Sequence, residues 1–239
     1  GNSASANYGT VFIDTTSPTL VVSAASPSPA PAGGILYYTV RTAEPNSGFP
    51  TLELNPSLAL NEGTADGNLY TWTYAVPDGS DDTLLPEELA MLEGAYTVNV
   101  ALTDLAGNTQ TVDGEPIVLD TSIPTVSNVS ATSNNSQSPG SIAGDDQNPI
   151  LAADGDIITV SFDAADTGSS GVASVTANLG GYEMNAIAND GTTYEFNYTV
   201  NSDEFSDGDA YLQIIVTDAA GNQKEWWRNG WVTVDVTAP

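Results

Sequence analysis

The chain has no histidine and no cysteine, and only three basic residues, Arg41, Lys224 and Arg228, among its 239. Each absence closes a class of chemistry. Without histidine there is no Ser-His-Asp triad. Without cysteine there is no thiolate nucleophile, and without either there is no imidazole- or thiolate-bound zinc. A pair of carboxylates working as in glycosidases stays available. Against the three basic residues stand 31 acidic ones, a formal charge of −28. Such a charge repels nucleic-acid phosphates and anionic membrane surfaces. It favours solubility and attracts divalent cations. The sequence shows no signal peptide and no apolar run long enough to span a bilayer, so no membrane insertion is expected. It reads as an excised or processed piece of a longer chain.

What is present is enough to fold. Hydrophobic residues make up 40% of the chain, with ten tyrosines and four tryptophans, so this is no disordered acidic tail. The chain also repeats itself. "VFIDTTSPTL" from Val11 returns as "IVLDTSIPTV" from Ile117 and as "VTVDVTAP" at the end. "TDLAGNTQ" from Thr103 returns as "TDAAGNQK" from Thr217. The copies are roughly 110 residues apart, the length of a whole β-sandwich domain rather than of a solenoid unit.

Alternation of apolar and polar residues predicts strands near Thr19–Ala24, Ile35–Thr42, Thr51–Asn55, Leu69–Val76, Ala95–Leu102 and Pro116–Asp120 in the first repeat. In the second it predicts Thr125–Thr132, Asp156–Asp163, Val172–Ala177, Tyr182–Ala188, Thr193–Val200, Ala210–Thr217 and Trp231–Val236. One helical candidate stands out, Thr83–Leu92, with Glu87 and Glu88 suited to its N-terminal end. Asp113-Gly114 and Asn229-Gly230 mark tight turns or bulges near the start of each last strand. The expected organisation is a terminal strand of a preceding repeat or a donor strand (1–14), a first Ig-like domain (15–120) and a second (121–239). The second carries a long polar insertion between its A and B strands, from Ser133, read as a solvated surface loop.

"TDxAGN" followed by "DTTxP" resembles the bacterial Ig-like tandem repeats of large calcium-dependent surface adhesins, the extender-type domains. The resemblance covers both repeats and implies an all-β fold, two tandem Ig-like β-sandwich domains in a head-to-tail row. It implies a non-catalytic structural spacer at the bacterial cell surface. It further implies neighbouring Ig-like repeats as partners and structural calcium at domain junctions as cofactor.

The sandwich geometry then places the acids. In such a fold the B–C and F–G loops lie at the end where the chain enters. The connector aspartate Asp14 should therefore approach Glu44 and Asp104. Asp120 should approach Asp163, Asp166 and Asp218. Carboxylates that converge from three segments repel unless a cation sits among them, and calcium accepts six to eight oxygens in irregular cages. The plainer reading is local: Asp before Thr or Ser makes an Asx turn, and the Asp of "TDxAGN" caps its own loop, with Gly107 or Gly221 supplying the backbone angle.

Two further readings rest on other residues. The N-terminal strand could augment a sheet in another copy of the chain, making the protein a subunit of a self-assembling filament. "EWWRNGW" offers Trp227 and Trp231 for stacking on a glycan, the signature of a carbohydrate-binding module. Neighbours on a strand face opposite ways, so one of Trp226 and Trp227 joins the core. The plainer reading has both covering the edge of their own sandwich.

Overall fold

The computed structural model describes residues 13–78, 88, 90–138 and 149–237. The N-terminal stretch, most of the helical candidate, the middle of the insertion and Pro239 lie outside the described residues; Glu88 and Ala90, inside it, are helical. Strands carry the fold. By compactness the chain divides into two units. The second takes in Pro29–Gly33, Pro77–Gly94 and everything from Leu119 onward. Asp120 and Glu93 therefore belong to the second unit.

The first repeat contributes β1 (Leu20–Ser26), β2 (Ala30–Pro31), β3 (Ile35–Thr42), β4 (Thr51–Asn55), β5 (Asn61–Asp66), β6 (Leu69–Ala75), β7 (Gly94–Thr103), β8 (Thr109–Asp113) and β9 (Ile117–Asp120). One sheet has the order β1-β3-β6-β5 and the other β2-β9-β7-β4, with β8 also on β7. The alternation of "ILYYTVRT" turns Leu36, Tyr38 and Val40 inward, and that of "AYTVNVAL" turns in Tyr96, Val98, Val100 and Leu102. Phe49 packs edge-on against Tyr70 and Trp72. Between β8 and β9 the chain crosses Tyr38 at Gly114, where a Cβ would overlap the tyrosine hydroxyl. Only glycine fits there, and Tyr38 donates to the Glu115 carbonyl at 3.0 Å.

The second repeat contributes β10 (Thr125–Ser133), β11 (Ile150–Ala153), β12 (Ile157–Ala165), β13 (Val172–Leu179), β14 (Tyr182–Glu183), β15 (Asn185–Asn189), β16 (Thr193–Thr199), β17 (Gly208–Asp218) and β18 (Gln223–Asp235). Its sheets run β10-β12-β16-β15 and β11-β18-β17-β13-β14. Phe162 stacks between Tyr194 and Phe196 at 6.0 and 5.9 Å, and Trp231 is wholly buried in the same core. Both repeats are thus Ig-like β-sandwiches.

Three expectations need correction, the first that Tyr182–Ala188 is one strand: it divides into β14 on one sheet and β15 on the other. The insertion is not all loop. Its end, β11, pairs in parallel with β18 through Ile150↔Val232 to Ala153↔Asp235, and buries Ile150 and Ala152. The flanking polar run hides this short apolar stretch. The last strand begins at Gln223, not Trp231. Asn229-Gly230 sits in a bulge inside it, where β18 shifts register against β17. Strand β5, "NEGTAD", is exposed along its length and has no alternation to read.

Candidate metal centres

In each repeat the Asp-x-x-Gly-Asn loop folds around its own aspartate. Asp104 Oδ1 accepts the amides of Ala106 and Asn108, both at 2.8 Å, and Oδ2 accepts Asn108 Nδ2 at 2.8 Å. Gly107 takes φ +93°, the left-handed region that the turn requires. Asp218 repeats the pattern. Its Oδ1 accepts Gly221 and Asn222 amides at 2.7 and 2.9 Å, its Oδ2 accepts Asn222 Nδ2 at 2.8 Å, and Gly221 takes φ +107°. The loop-capping role of these acids is therefore present in the structure.

The motif asparagine also reaches beyond its loop. Asn108 Nδ2 donates to the carbonyl of Asp14 at 3.2 Å, and Asn222 Nδ2 donates to the carbonyl of Asp120 at 2.9 Å. Each ties the connector aspartate to the loop of the following repeat. Asn222 Oδ1 further accepts the Ala32 amide at 3.0 Å. Nothing in the spacing of "TDxAGN" assigns this task to the asparagine, but its recurrence four residues after the aspartate in both copies is the signal.

Connector and loops bring the acids together in two groups. Carboxylate oxygens of Asp14, Glu44 and Asp104 lie within 4.8 Å of one another, and so do those of Asp120, Asp166 and Asp218. Asp14 is exposed and makes an Asx turn to the Thr16 amide at 2.9 Å. Beside it, Asn46 pairs with Asp104 in an isolated bridge, and its buried Oδ1 has no hydrogen-bond partner among the described residues. Asp166 is held by its own loop: Oδ1 accepts Gly168 N at 3.0 Å and Oδ2 accepts Gly171 N at 2.8 Å. Asp120 is fully buried, with Oδ1 accepting Ser122 N at 3.1 Å and Oδ2 accepting Ser170 N at 2.9 Å. Gly168 lies against this carboxylate so closely that a Cβ there would overlap Asp120 Oδ1.

Asp163 is not in the second group. It sits on β12 between the inward Phe162 and Ala164, so it faces outward, where its oxygens accept Asn128 Nδ2 and Thr193 Oγ1, both at 2.7 Å. Those two bonds hold its carboxyl below the usual range.

Sequence reasoning missed Glu93. Its Oε2 accepts the Thr121 amide at 2.7 Å and its Oε1 the Ser169 amide at 2.9 Å, clamping connector to loop. Burial pushes its carboxyl up, but these bonds outweigh it and hold Glu93 below the usual range. Asp120 goes the other way. Burial raises it, and the nearby charges of Glu93 and Asp166 add to the rise, against hydrogen bonds from Ser170 and Ser122. Asp207 occupies the place of Glu93 in the second repeat, just before the glycine that opens the long strand. It accepts Val236 N at 2.8 Å and Thr237 N at 3.1 Å.

The donors are all oxygens, from carboxylates that accept hydrogen bonds within the roughly four lone-pair positions each offers. Two unit charges about 4 Å apart repel by roughly 1 kcal/mol in water and about 4 kcal/mol at the effective permittivity of a protein surface. A hard cation with many oxygen ligands suits such a set.

The tryptophans separate. Trp231 is fully buried, edge-on to Trp226 at 6.0 Å and with the Arg228 guanidinium 5.4 Å from its ring centroid, which removes it from any exposed stacking surface. Trp226 packs on the core, while Trp227 stays 65% exposed and so does not cover the sandwich edge.

No curated protein matches the chain in sequence. A Ca2+-stabilized adhesin by which an Antarctic bacterium reaches out and binds ice is similar in structure at 21% identity and TM-score 0.47, over 95% of this chain and 51% of that one. A fragment of a 1.5-MDa bacterial ice-binding adhesin matches at 20% identity and TM-score 0.39, over 93% and 67%. The fibronectin(III)-like modules of Clostridium thermocellum CbhA match at 14% identity and TM-score 0.44, over 92% and 93%. Residues 55–121 match the family model of the bacterial Ig-like domain, so the resemblance carried by the repeated loop and connector is one to bacterial Ig-like domains.

Proposed function

We propose that the chain is a non-catalytic spacer of a bacterial extracellular adhesin, with repeats at 15–120 and 121–239, in which calcium fixes each connector to the repeat that follows it. One observation carries this reading. Twice, a connector acid, a B–C loop acid and an F–G loop acid present oxygens within 4.8 Å of one another. Hydrogen bonds account for the posture of Asp14, Asp104, Asp120, Asp166 and Asp218 singly, but not for the gathering of three charges at one point.

Asp14, Glu44 and Asp104 would hold one ion, and Asp120, Asp166 and Asp218 the other. Carbonyls and water would complete a shell of six to eight oxygens. The ion supplies positive charge that turns mutual repulsion into attraction. The protein's own residues do the rest. Asn108 and Asn222 seat the connector carbonyl, Glu93 orients Thr121, and the buried Pro18 and Pro124 restrict the backbone just beyond each connector. The neighbouring-repeat partner expected from the sequence follows from the same arrangement.

The test is calcium titration by calorimetry, with melting and limited proteolysis at Thr121–Pro124 in calcium and in EDTA. Binding heat, a higher melting temperature and slower cleavage in calcium are expected. No binding heat together with identical melting in EDTA would sink the calcium reading.

A further inference from the structure

The outward face of the β11-β18-β17-β13-β14 sheet carries a shallow concavity of about 400 Å3, lined by Tyr211, Gln213, Glu225, Trp227 and Asn229. It lies within the second unit and shares no residue with the acidic clusters. Register explains how it forms. Gln213 on β17 faces Trp227 on β18, and Ile215 faces Glu225. The odd-numbered residues of β18 before the bulge point outward together. The bulge then turns Trp231 inward, so Trp227 keeps its ring in solvent at 65% exposure, with Tyr211 at 39%.

Beside the rings runs a hydrogen-bonded row across three strands. Asn178 Nδ2 donates to Gln213 Oε1 at 3.3 Å, and Gln213 Nε2 donates to Glu225 Oε1 at 2.6 Å. The row sets the direction of Glu225 and leaves amide and carboxylate edges next to two aromatic faces. The lining holds no cation. The neighbouring Arg228 lies over the buried ring of Trp231 instead.

We propose that this concavity binds a neutral oligosaccharide, one ring stacked on Trp227 and its hydroxyls held by Glu225, Gln213 and Asn229. Sugars present apolar C–H faces and polar rims together, which matches aromatic rings set beside fixed polar groups. Charge removes the other occupants. A second copy of a chain at −28 is repelled, and so are nucleic acids and anionic glycans. A purely apolar partner would strip water from Glu225, Gln213 and Asn229 without replacing their hydrogen bonds.

The test is a calorimetric titration of the full chain in EDTA with cellohexaose, maltohexaose and N-acetylchitohexaose, and with hexagalacturonate as the anionic comparator. EDTA separates this proposal from the calcium reading, since the two sites share no residue. A saturable response to at least one neutral sugar is expected. Trp227→Ala should weaken it about tenfold or more at unchanged melting temperature, and Trp227→Phe should keep part of the affinity. Three outcomes overturn the proposal: silence from all three neutral sugars at millimolar concentration, binding unaltered in Trp227→Ala, or hexagalacturonate binding as well as the neutral sugars.

Discussion

In the first acidic cluster the connector aspartate, Asp14, is exposed; in the second its counterpart, Asp120, is fully buried. The F–G loops share the Asp-x-Ala-Gly-Asn motif, so the difference does not come from that motif. It comes from what closes over it. Around Asp120 stand Gly168, which lets backbone lie on the carboxylate, and Glu93, which ties Thr121 to Ser169. Around Asp14 the Asx turn to Thr16 and the Asn108 bond are the connector's hydrogen bonds among the described residues. One loop design thus serves connectors at two levels of desolvation. Hydrogen bonds from Asn108, Ala106 and Gly107 hold Asp104 below the usual carboxylate range, while burial lifts Asp120 above it.

Calcium should show the contrast most strongly. Saturation at about a thousand times Kd stabilises a fold by roughly 4 kcal/mol. Calorimetry should find the larger shift in the second unit, where desolvation strengthens every charge interaction. Equal shifts in both units would erase the contrast.

Next in size is the loss of the motif asparagine. Asn222→Ala removes bonds to Asp120, Asp218 and Ala32 in a buried setting and should cost roughly 3 kcal/mol by denaturant unfolding. Asn108→Ala, at a less buried position, should cost about 1 kcal/mol. Gly168→Ala follows, at roughly 2 kcal/mol, because the new methyl overlaps Asp120. Gly48, in the corresponding loop of the first unit, has open space, and its alanine variant should be silent.

The smallest effect is the most specific. Asp120 has a raised folded value, so protonation favours the folded state. In EDTA its contribution to the second unit's stability should therefore grow as pH falls from 7 toward the unfolded value of about 3.9. Asp120→Asn should flatten that slope. Asp104 has the opposite sign: its contribution is complete above the unfolded value of about 3.9 and is lost as pH falls through its lowered folded value. The first unit should be flat over the same window. A gain in the first unit instead would reverse the assignment of which aspartate is desolvated.

The sandwich was legible because "ILYYTVRT", "AYTVNVAL" and their counterparts alternate cleanly. β5 and β11 were not, since one is wholly exposed and the other is four residues long beside a polar run. The nearness of Asp14, Glu44 and Asp104, and of Asp120, Asp166 and Asp218, could be expected once an Ig-type sandwich was assumed for each repeat. Asp163 was named wrongly with them because a strand's end cannot be fixed to the residue: β12 runs on to Ala165, and three positions separate an outward strand residue from a loop residue. Glu93 escaped notice because it directly follows a stretch that reads as helix, Thr83–Leu92. Comparing "EGAYTV" with "DGDAYL" would have found it, since an acid precedes the strand-opening glycine in both repeats.

The parallel pairing of β11 with β18 has a mechanical consequence. A pull that draws Ile150 away from Asp235 slides the two strands along each other, loading all four register pairs side by side instead of unzipping them singly. The matching contact of β2 with β9 spans two pairs, one of them at Pro31, which has no amide hydrogen to give. Under tension the first repeat's contact should therefore yield before the second's.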